Sequence, residues 1–134
     1  MSQRFVQNPW LTDVFTTAGA TPTLSTNTAF ATPSGSSGVA ELRVLARNTG
    51  TAAMVFWHAE VPWKNVAGTL TIGTLLNVGG AALAAVASIA ADLTAFVGTA
   101  IALTSQASAT IQPQVTGLAA TNIEWLIDMR CNVN

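Results

Sequence analysis

The most regular pattern in the chain is an alternation of apolar and polar residues near its C-terminal end. Between Ile123 and Val133 every second residue is apolar, and the positions between them are polar or charged except for Leu126. Successive side chains of a β-strand point to opposite faces, so this pattern predicts a strand with one buried face. It is the strongest secondary-structure signal in the sequence.

Two segments in the first half of the chain alternate in the same way. In Glu41–Arg47 the three charged residues share one face, and in Met54–Lys64 one face carries the apolar set Val55, Trp57, Ala59, Val61 and Trp63. Both segments are predicted to be strands. Pro62 has no N–H to donate to a ladder, which places this part of its strand at a sheet edge or a bulge. A further short strand is predicted around Leu70 and Ile72.

Similar alternation recurs over residues 97–103 and 109–116, with polar turns between the segments. Six or seven short strands at regular spacing predict an all-β fold, an antiparallel β-sandwich of about six to eight strands. The Ala-rich stretch 79–92 fits a strand face and a short helix equally well, and its conformation stays open.

The segment before these strands has a different composition. Of the 23 residues 16–38, 20 are Thr, Ser, Ala, Gly or Pro, which is typical of a linker or arm. We therefore expect an extended N-terminal arm over residues 1–38 and the sandwich domain over 39–134. The alternative, that Pro22–Phe30 forms an edge strand of its own domain, remains open. Three aromatic residues of the arm are candidate interface anchors: Phe5, Trp10 and Phe15.

Charge is scarce along the chain. Charged residues make up 8% of the sequence, and none occurs in Val14–Ala40, Asn65–Ala91 or Leu93–Ile123. A soluble surface usually carries far more, so we expect the chain to pack against copies of itself or other proteins. Five Lys and Arg residues with a net charge of -1 exclude a nucleic-acid binder that works by phosphate neutralisation.

A membrane role is the remote alternative. Thr69–Ala91 is 23 residues long and uncharged, long enough to cross a bilayer as a helix. Much of it is Ala, Gly and Thr, which contribute little to membrane insertion, so we expect no membrane association. A small membrane protein such as a holin stays as the alternative. The first residues show no apolar segment of the kind that a secretory signal needs.

Few residues in the sequence are candidates for catalysis or metal binding. His58 and Glu60 share a strand face and could form an acid–base pair or half a metal site, but no second His exists. We expect them to be a solvent-facing polar pair, and Cys131 to be a buried, inert thiol. No nucleophile-elbow or phosphate-loop motif occurs, so we predict no enzyme activity, catalytic residue, metal or cofactor. A carbohydrate- or host-surface-binding module that uses the exposed faces around Phe56, His58 and Glu60 is the alternative function.

The C-terminal half resembles small β-sandwich proteins of tailed-bacteriophage particles, among them head-decoration and tail or fibre components. The resemblance rests on Val115-Thr116-Gly117, the loop Leu118–Asn122 and then Ile123-Glu124-Trp125, interpreted as a hairpin, together with the strands Glu41–Arg47 and Met54–Trp63. It implies a non-enzymatic virion protein present in many copies, assembled in the bacterial host cytoplasm. Its partners would be copies of itself and major capsid or tail proteins.

Overall fold

The computed structural model describes residues 6–78 and 90–134, and these form antiparallel strands and two 3-10 turns. The strands are β1 (Val6–Gln7), β2 (Leu11–Thr17), β3 (Thr23–Leu24), β4 (Phe30–Ala31), β5 (Ser37–Asn48), β6 (Met54–Val66), β7 (Thr69–Ile72), β8 (Leu76–Asn77), β9 (Ala100–Gln106), β10 (Thr110–Thr116) and β11 (Ile123–Val133). The 3-10 turns are Thr26–Thr28 and Ala90–Phe96.

The strands form two sheets. The large sheet has seven strands in the order β1-β11-β5-β6-β7, with β2 also paired to β11 and β8 also paired to β6. In the small sheet, β10 is flanked by β9 on one side and by β3 and β4 on the other. The predicted all-β, antiparallel sandwich-like fold is confirmed. Six strands have seven or more residues, and the others are pieces of two to four residues.

The core lies between the inner faces of the two sheets. The alternating apolar residues predicted for β6 and β11 are its centre, and Trp57 stacks on Trp125 with ring centroids 6.0 Å apart. Trp125 is fully buried, and its indole Nε1 donates a hydrogen bond to Thr17 Oγ1 at 2.9 Å, so its polar atom is satisfied. Phe30 of the small sheet contacts Trp63 of the large sheet at a centroid distance of 6.2 Å.

Four strands of the segment 1–38, which was expected to be an extended arm, belong to the two sheets. β1 and β2 pair with β11, and β3 and β4 pair with β10. The 3-10 turn at Thr26–Thr28 is held by Asp13, whose carboxylate accepts hydrogen bonds from Ser25 Oγ at 2.8 Å and Asn27 Nδ2 at 3.0 Å. These buried polar contacts compensate for the low apolar content of the segment. The alternative interpretation of Pro22–Phe30, as part of its own domain, fits this arrangement.

The connection between β10 and β11 also differs from the prediction. Residues 117–122 carry the chain from the small sheet to the large sheet, and β10 and β11 do not pair. The predicted hairpin is therefore a crossover between sheets. The sequence signal, a Gly-containing loop between two alternating strands, is the same for a hairpin and for a crossover between sheets.

Pro62 occupies the kind of position predicted for it. The neighbouring chain is interrupted opposite Pro62, because β7 pairs with residues 63–66 of β6 and β8 pairs with residues 59–60. Pro62 keeps only its acceptor function there, since its carbonyl takes a hydrogen bond from the Gly73 amide at 2.8 Å.

The stretch 79–92 falls mostly outside the described residues, and only Ala90–Phe96 is seen as a 3-10 turn. Thr69–Ile72 and Leu76–Asn77 are strands, so the segment considered as a membrane helix does not begin as a helix. Across residues 6–78 and 90–134 there is no helix with the length and apolar character needed to span a bilayer.

Candidate functional site: the outer face of the large sheet

The face of the large sheet that points away from the core carries an ordered pattern of side chains. Because β2, β11, β5 and β6 are neighbours in register, their outward residues line up in rows across the strands. In the order β2, β11, β5 and β6, the apolar row is Val14, Leu126, Leu45 and Phe56, and the Glu124 row is Thr16, Glu124, Arg47 and Met54. In the same order the Asp128 row is Thr12, Asp128, Arg43 and His58. The Arg130 row, which has no β2 residue, is Arg130, Glu41 and Glu60. We call these rows together the outer face.

Most of the charge of the molecule is on this side of the large sheet. The sequence has eleven charged residues, and β5, β6 and β11 direct eight of them outward. They are Glu41, Arg43, Arg47, Glu60, Lys64, Glu124, Asp128 and Arg130. Four are basic and four are acidic, so the surface is strongly charged and yet has no net charge. Within the described part of the chain, charged residues are therefore scarce except on this one surface.

Glu41 is the centre of the charged part of the outer face. Its Oε1 accepts a hydrogen bond from Arg130 Nη2 at 2.8 Å, and its Oε2 lies 2.8 Å from His58 Nε2. Arg43 Nη2 is more distant, 3.8 Å from Oε2. The Glu41 side chain therefore links β5 to both of its neighbours, β11 and β6, and it is 18% exposed.

These contacts change the acidity of Glu41. Partial burial on its own would raise the pKa of this carboxyl, because it disfavours the charged form. The hydrogen bonds that Glu41 makes with His58 and Arg130, together with the positive charge of Arg130, outweigh that effect and hold the pKa below its usual range. Glu41 is consequently an anion at neutral pH, and it orients the side chains around it.

Trp10, a predicted interface anchor, lies on the outer face. The guanidinium carbon of Arg43 is 4.4 Å from the centroid of the Trp10 ring, and that of Arg130 is 4.5 Å from it. Since these two arginines come from β5 and β11, the indole covers the boundary between the two strands. Asn8 Nδ2 donates to the Cys131 carbonyl at 2.8 Å and holds the preceding chain against β11. Trp10 remains half-buried.

The other two predicted anchors are placed differently. Phe15 is on the inner side of β2, opposite Trp125 in register, and packs against the core. It therefore anchors β2 within its own domain. Phe5 lies outside the described residues.

A concavity of about 400 Å³ is open on the outer face, and Arg43, which contacts the Trp10 ring, is one of its lining residues. Its lining combines apolar and charged groups: Arg43, Leu45, Phe56, His58, Leu126 and Asp128. This is part of the surface considered for a carbohydrate or host ligand, since it includes Phe56 and His58. Glu60, the third residue of that surface, lies in the Arg130 row and lines a separate, smaller concavity.

The acid–base or metal interpretation of His58 and Glu60 finds no geometric support. The imidazole is hydrogen-bonded to Glu41 of the neighbouring strand, and in the part of the chain that the structure describes no cluster of three or more His, Cys, Asp or Glu side chains could hold a metal. Cys131 is 2% exposed, and burial raises the pKa of its thiol to about 12. The thiol is therefore protonated and unreactive at neutral pH.

Sequence reasoning missed the role of Glu41 and the apolar row. The contact between His58 and Glu41 joins residues 17 positions apart, and it depends on the β5–β6 register, which pairs Arg43 with His58. One signal was present in the sequence. Leu126 is the single apolar residue at a polar position of β11, and Leu45 and Phe56 are apolar residues on the polar faces of their own strands.

Comparison of the sequence with protein-family models and with curated proteins finds no match. Any functional conclusion therefore rests on the geometry of the chain itself and on the resemblance carried by its sequence.

Proposed function

We propose that this chain is a non-enzymatic structural subunit of a tailed-bacteriophage particle, present in many copies and assembled through the outer face. The supporting observation is the pattern of that face, where an exposed apolar row is bordered by charged rows of both signs. Val14 and Leu126 are 58% and 37% exposed. Interfaces between proteins combine an apolar centre with a polar and charged rim in this way. The phage setting is what the sequence resemblance implies.

The rest of the surface formed by residues 6–78 and 90–134 offers little charge to hold a partner. Among the charged residues outside the outward side of the large sheet, Asp13 is buried and Asp92 accepts a hydrogen bond from the Met54 amide at 3.1 Å. Association through the outer face would cover the apolar row and satisfy charges in pairs. Because many copies share such contacts, each contact can be weak while the assembly is stable.

Light scattering on the purified full-length chain tests the assembly function. We expect the wild-type chain to show a mass that is a multiple of 13.8 kDa at high concentration, and Leu126→Asp to reduce it to that of the single chain. Val97→Asp is the matched control, because Val97 is 76% exposed and belongs to none of the four rows of the outer face. A wild-type chain that stays at the single-chain mass at every concentration would contradict self-assembly.

The virion setting has a test of its own. Mass spectrometry of purified phage particles that encode this chain should detect it at a copy number comparable with other structural proteins. Particles that lack it would overturn the virion proposal while leaving self-association intact.

The second candidate function, a binding module, is favoured by the concavity of the outer face. The ring of Phe56 offers a stacking surface there, and Arg43 and Asp128 offer hydrogen-bonding groups for a sugar. Ligand binding there would change the fluorescence of Trp10, which lies over Arg43. A glycan panel that leaves the fluorescence unchanged would count against this function.

A further inference from the structure

The charges of the outer face change sign between two adjacent strands. Along β11 the outward residues are Glu124, Leu126, Asp128 and Arg130, and their partners on β5 are Arg47, Leu45, Arg43 and Glu41. In each charged row the β11 residue and the β5 residue therefore have opposite charges, and in the apolar row both are leucine. The line between β11 and β5 divides the face into two halves that are electrostatic complements.

A surface with this property is complementary to a second copy of itself. When two such faces meet around a twofold axis that runs along the strands between β11 and β5, each β11 residue faces the β5 residue of the same row. Glu124 then faces Arg47, and Asp128 faces Arg43. In the apolar row Leu126 faces Leu45, while Val14 at one end of the row faces Phe56 at the other.

A twofold arrangement with its axis perpendicular to the strands, along the apolar row, fails on charge. An axis along the apolar row, perpendicular to the strands, would exchange the Glu124 row with the Asp128 row and keep each strand opposite itself. Glu124 would then face Asp128, and Arg47 would face Arg43. Like charges placed together at an interface are costly, so the pattern selects the first axis.

One of the opposite-charge pairs has no ion-pair contact within the described structure. Arg47 and Glu124 are partners in register and are exposed, yet they form no ion pair there. Arg43 and Asp128 also form no ion pair with each other, but Arg43 lies 3.8 Å from the Glu41 carboxylate and against the Trp10 ring, and Asp128 accepts a hydrogen bond from Thr12 Oγ1 at 2.7 Å. Arg47 and Glu124 are therefore the charged side chains most available to a facing surface.

We propose that the outer face is the contact between two copies of this chain, related by a twofold axis along the strands between β11 and β5. This rests on the proposed assembly function and adds its geometry. Packed sheets stand about 10 Å apart with their strands within about 30° of each other. The Trp10 rings, which cover the β11–β5 boundary, lie close to the axis in this arrangement.

The size of the face sets the expected affinity. Four strands spaced about 4.8 Å apart and seven residues rising about 3.4 Å each cover about 19 by 24 Å. This is smaller than the roughly 800 Å² that each partner buries in a standard interface, so the dimer should be weak, as in transient complexes. The test therefore needs protein concentrations up to the millimolar range.

The test uses two charge reversals in the full-length chain, Arg47→Glu and Glu124→Arg, studied by sedimentation velocity. In the proposed dimer each variant alone places two pairs of like charges in contact, and we expect each to weaken self-association by about tenfold or more. One variant is acidic at both positions and the other is basic at both, so mixing the two variants brings opposite charges together again across the axis. The mixture should therefore form a heterodimer of nearly wild-type affinity.

This restoration separates contacts between chains from contacts within one chain, because mixing cannot repair a pair inside a single molecule. Lys64→Glu is the control, since Lys64 is outward on β6 but beyond the four rows. Circular dichroism checks that every variant keeps its strands. If the wild-type chain associates and both reversals and their mixture associate equally well, the proposed axis is wrong and the assembly function stands. If the wild-type chain never associates, both fail.

Discussion

Glu41 is the residue on which the charged part of the outer face depends, because it holds Arg130 and His58 at 2.8 Å each. Its pKa is lowered by these contacts in the folded chain. Such a carboxylate contributes stability that is fully present above its unfolded-state pKa and is lost as the pH falls through its folded-state pKa. The charged rows should thus loosen in acid.

The substitution Glu41→Gln tests this at the residue scale. At neutral pH we expect a loss of about 1–2 kcal/mol in the free energy of unfolding, since a hydrogen-bonded charge is removed from two partners. The difference from wild type should shrink as the pH falls through the folded-state pKa of Glu41. Urea unfolding from pH 7 to pH 3, on dilute protein, measures it.

Glu60→Gln is the matched control, because Glu60 lies opposite Glu41 in register but is exposed. Its effect should stay within about 0.5 kcal/mol, as is usual for surface substitutions. A difference between wild type and Glu41→Gln that does not depend on pH would show that the carboxylate charge has no such role.

At the scale of elements, β2 shows how a polar segment is tied into an apolar fold. Asp13 is 6% exposed, and it accepts hydrogen bonds from Ser25 and Asn27 beyond the end of its strand. Ser25 in turn contacts Thr28, and both of these residues are fully buried. Polar contacts therefore hold the 3-10 turn at Thr26–Thr28 against β2.

Asp13→Ala should therefore destabilise the chain by about 1–3 kcal/mol, because buried donors lose their acceptor. Thermal unfolding followed by circular dichroism measures the loss. Thr12→Ala, one residue earlier and exposed on the outer face, is the control and should change little. Equal effects of the two substitutions would mean that the buried carboxylate does not hold the turn.

The elements also show what the sequence could and could not predict. The strands β5, β6 and β11 were predictable, because one face of each buries large apolar residues such as Leu42, Trp57 and Ile127 with a period of two. The two-residue strands β3 and β4 were not, since pieces so short have no period. Their position is decided by pairing with β10, which is a long-range property.

The candidate site was only partly predictable for the same reason. Trp10 could be suspected from its place outside the alternating pattern, and it lies half-buried over Arg43 and Arg130 on the outer face. Phe15 could not be told apart from it, because the strand containing Phe15 had not been predicted. The rows of the outer face needed the register of four strands, which no local pattern encodes.

At the scale of the whole molecule, the arrangement of the charged residues matters more than their small number. Eight of the eleven charged residues are on one side of one sheet, with equal numbers of each sign. A charged surface without net charge neither attracts polyanions nor repels its own copy. Such a surface can recognise another surface with the complementary pattern of charges. The outer face of a second copy, rotated about the proposed twofold axis, has that complementary pattern.

The native tryptophans provide a direct reporter of whether this face is covered on assembly. Trp57, Trp63 and Trp125 are at most 5% exposed, so the fluorescence that acrylamide can quench comes from half-buried Trp10. Trp10→Phe is the control and should leave little quenchable fluorescence at any concentration.

The decisive measurement is acrylamide quenching of the full-length chain over a concentration series, with the mass recorded in parallel by light scattering. We expect quenching to fall over the same concentrations at which the mass rises above that of the single chain, because association covers Trp10. A mass that rises while the quenching stays constant would show that the chain assembles through another surface, and it would contradict association through the outer face.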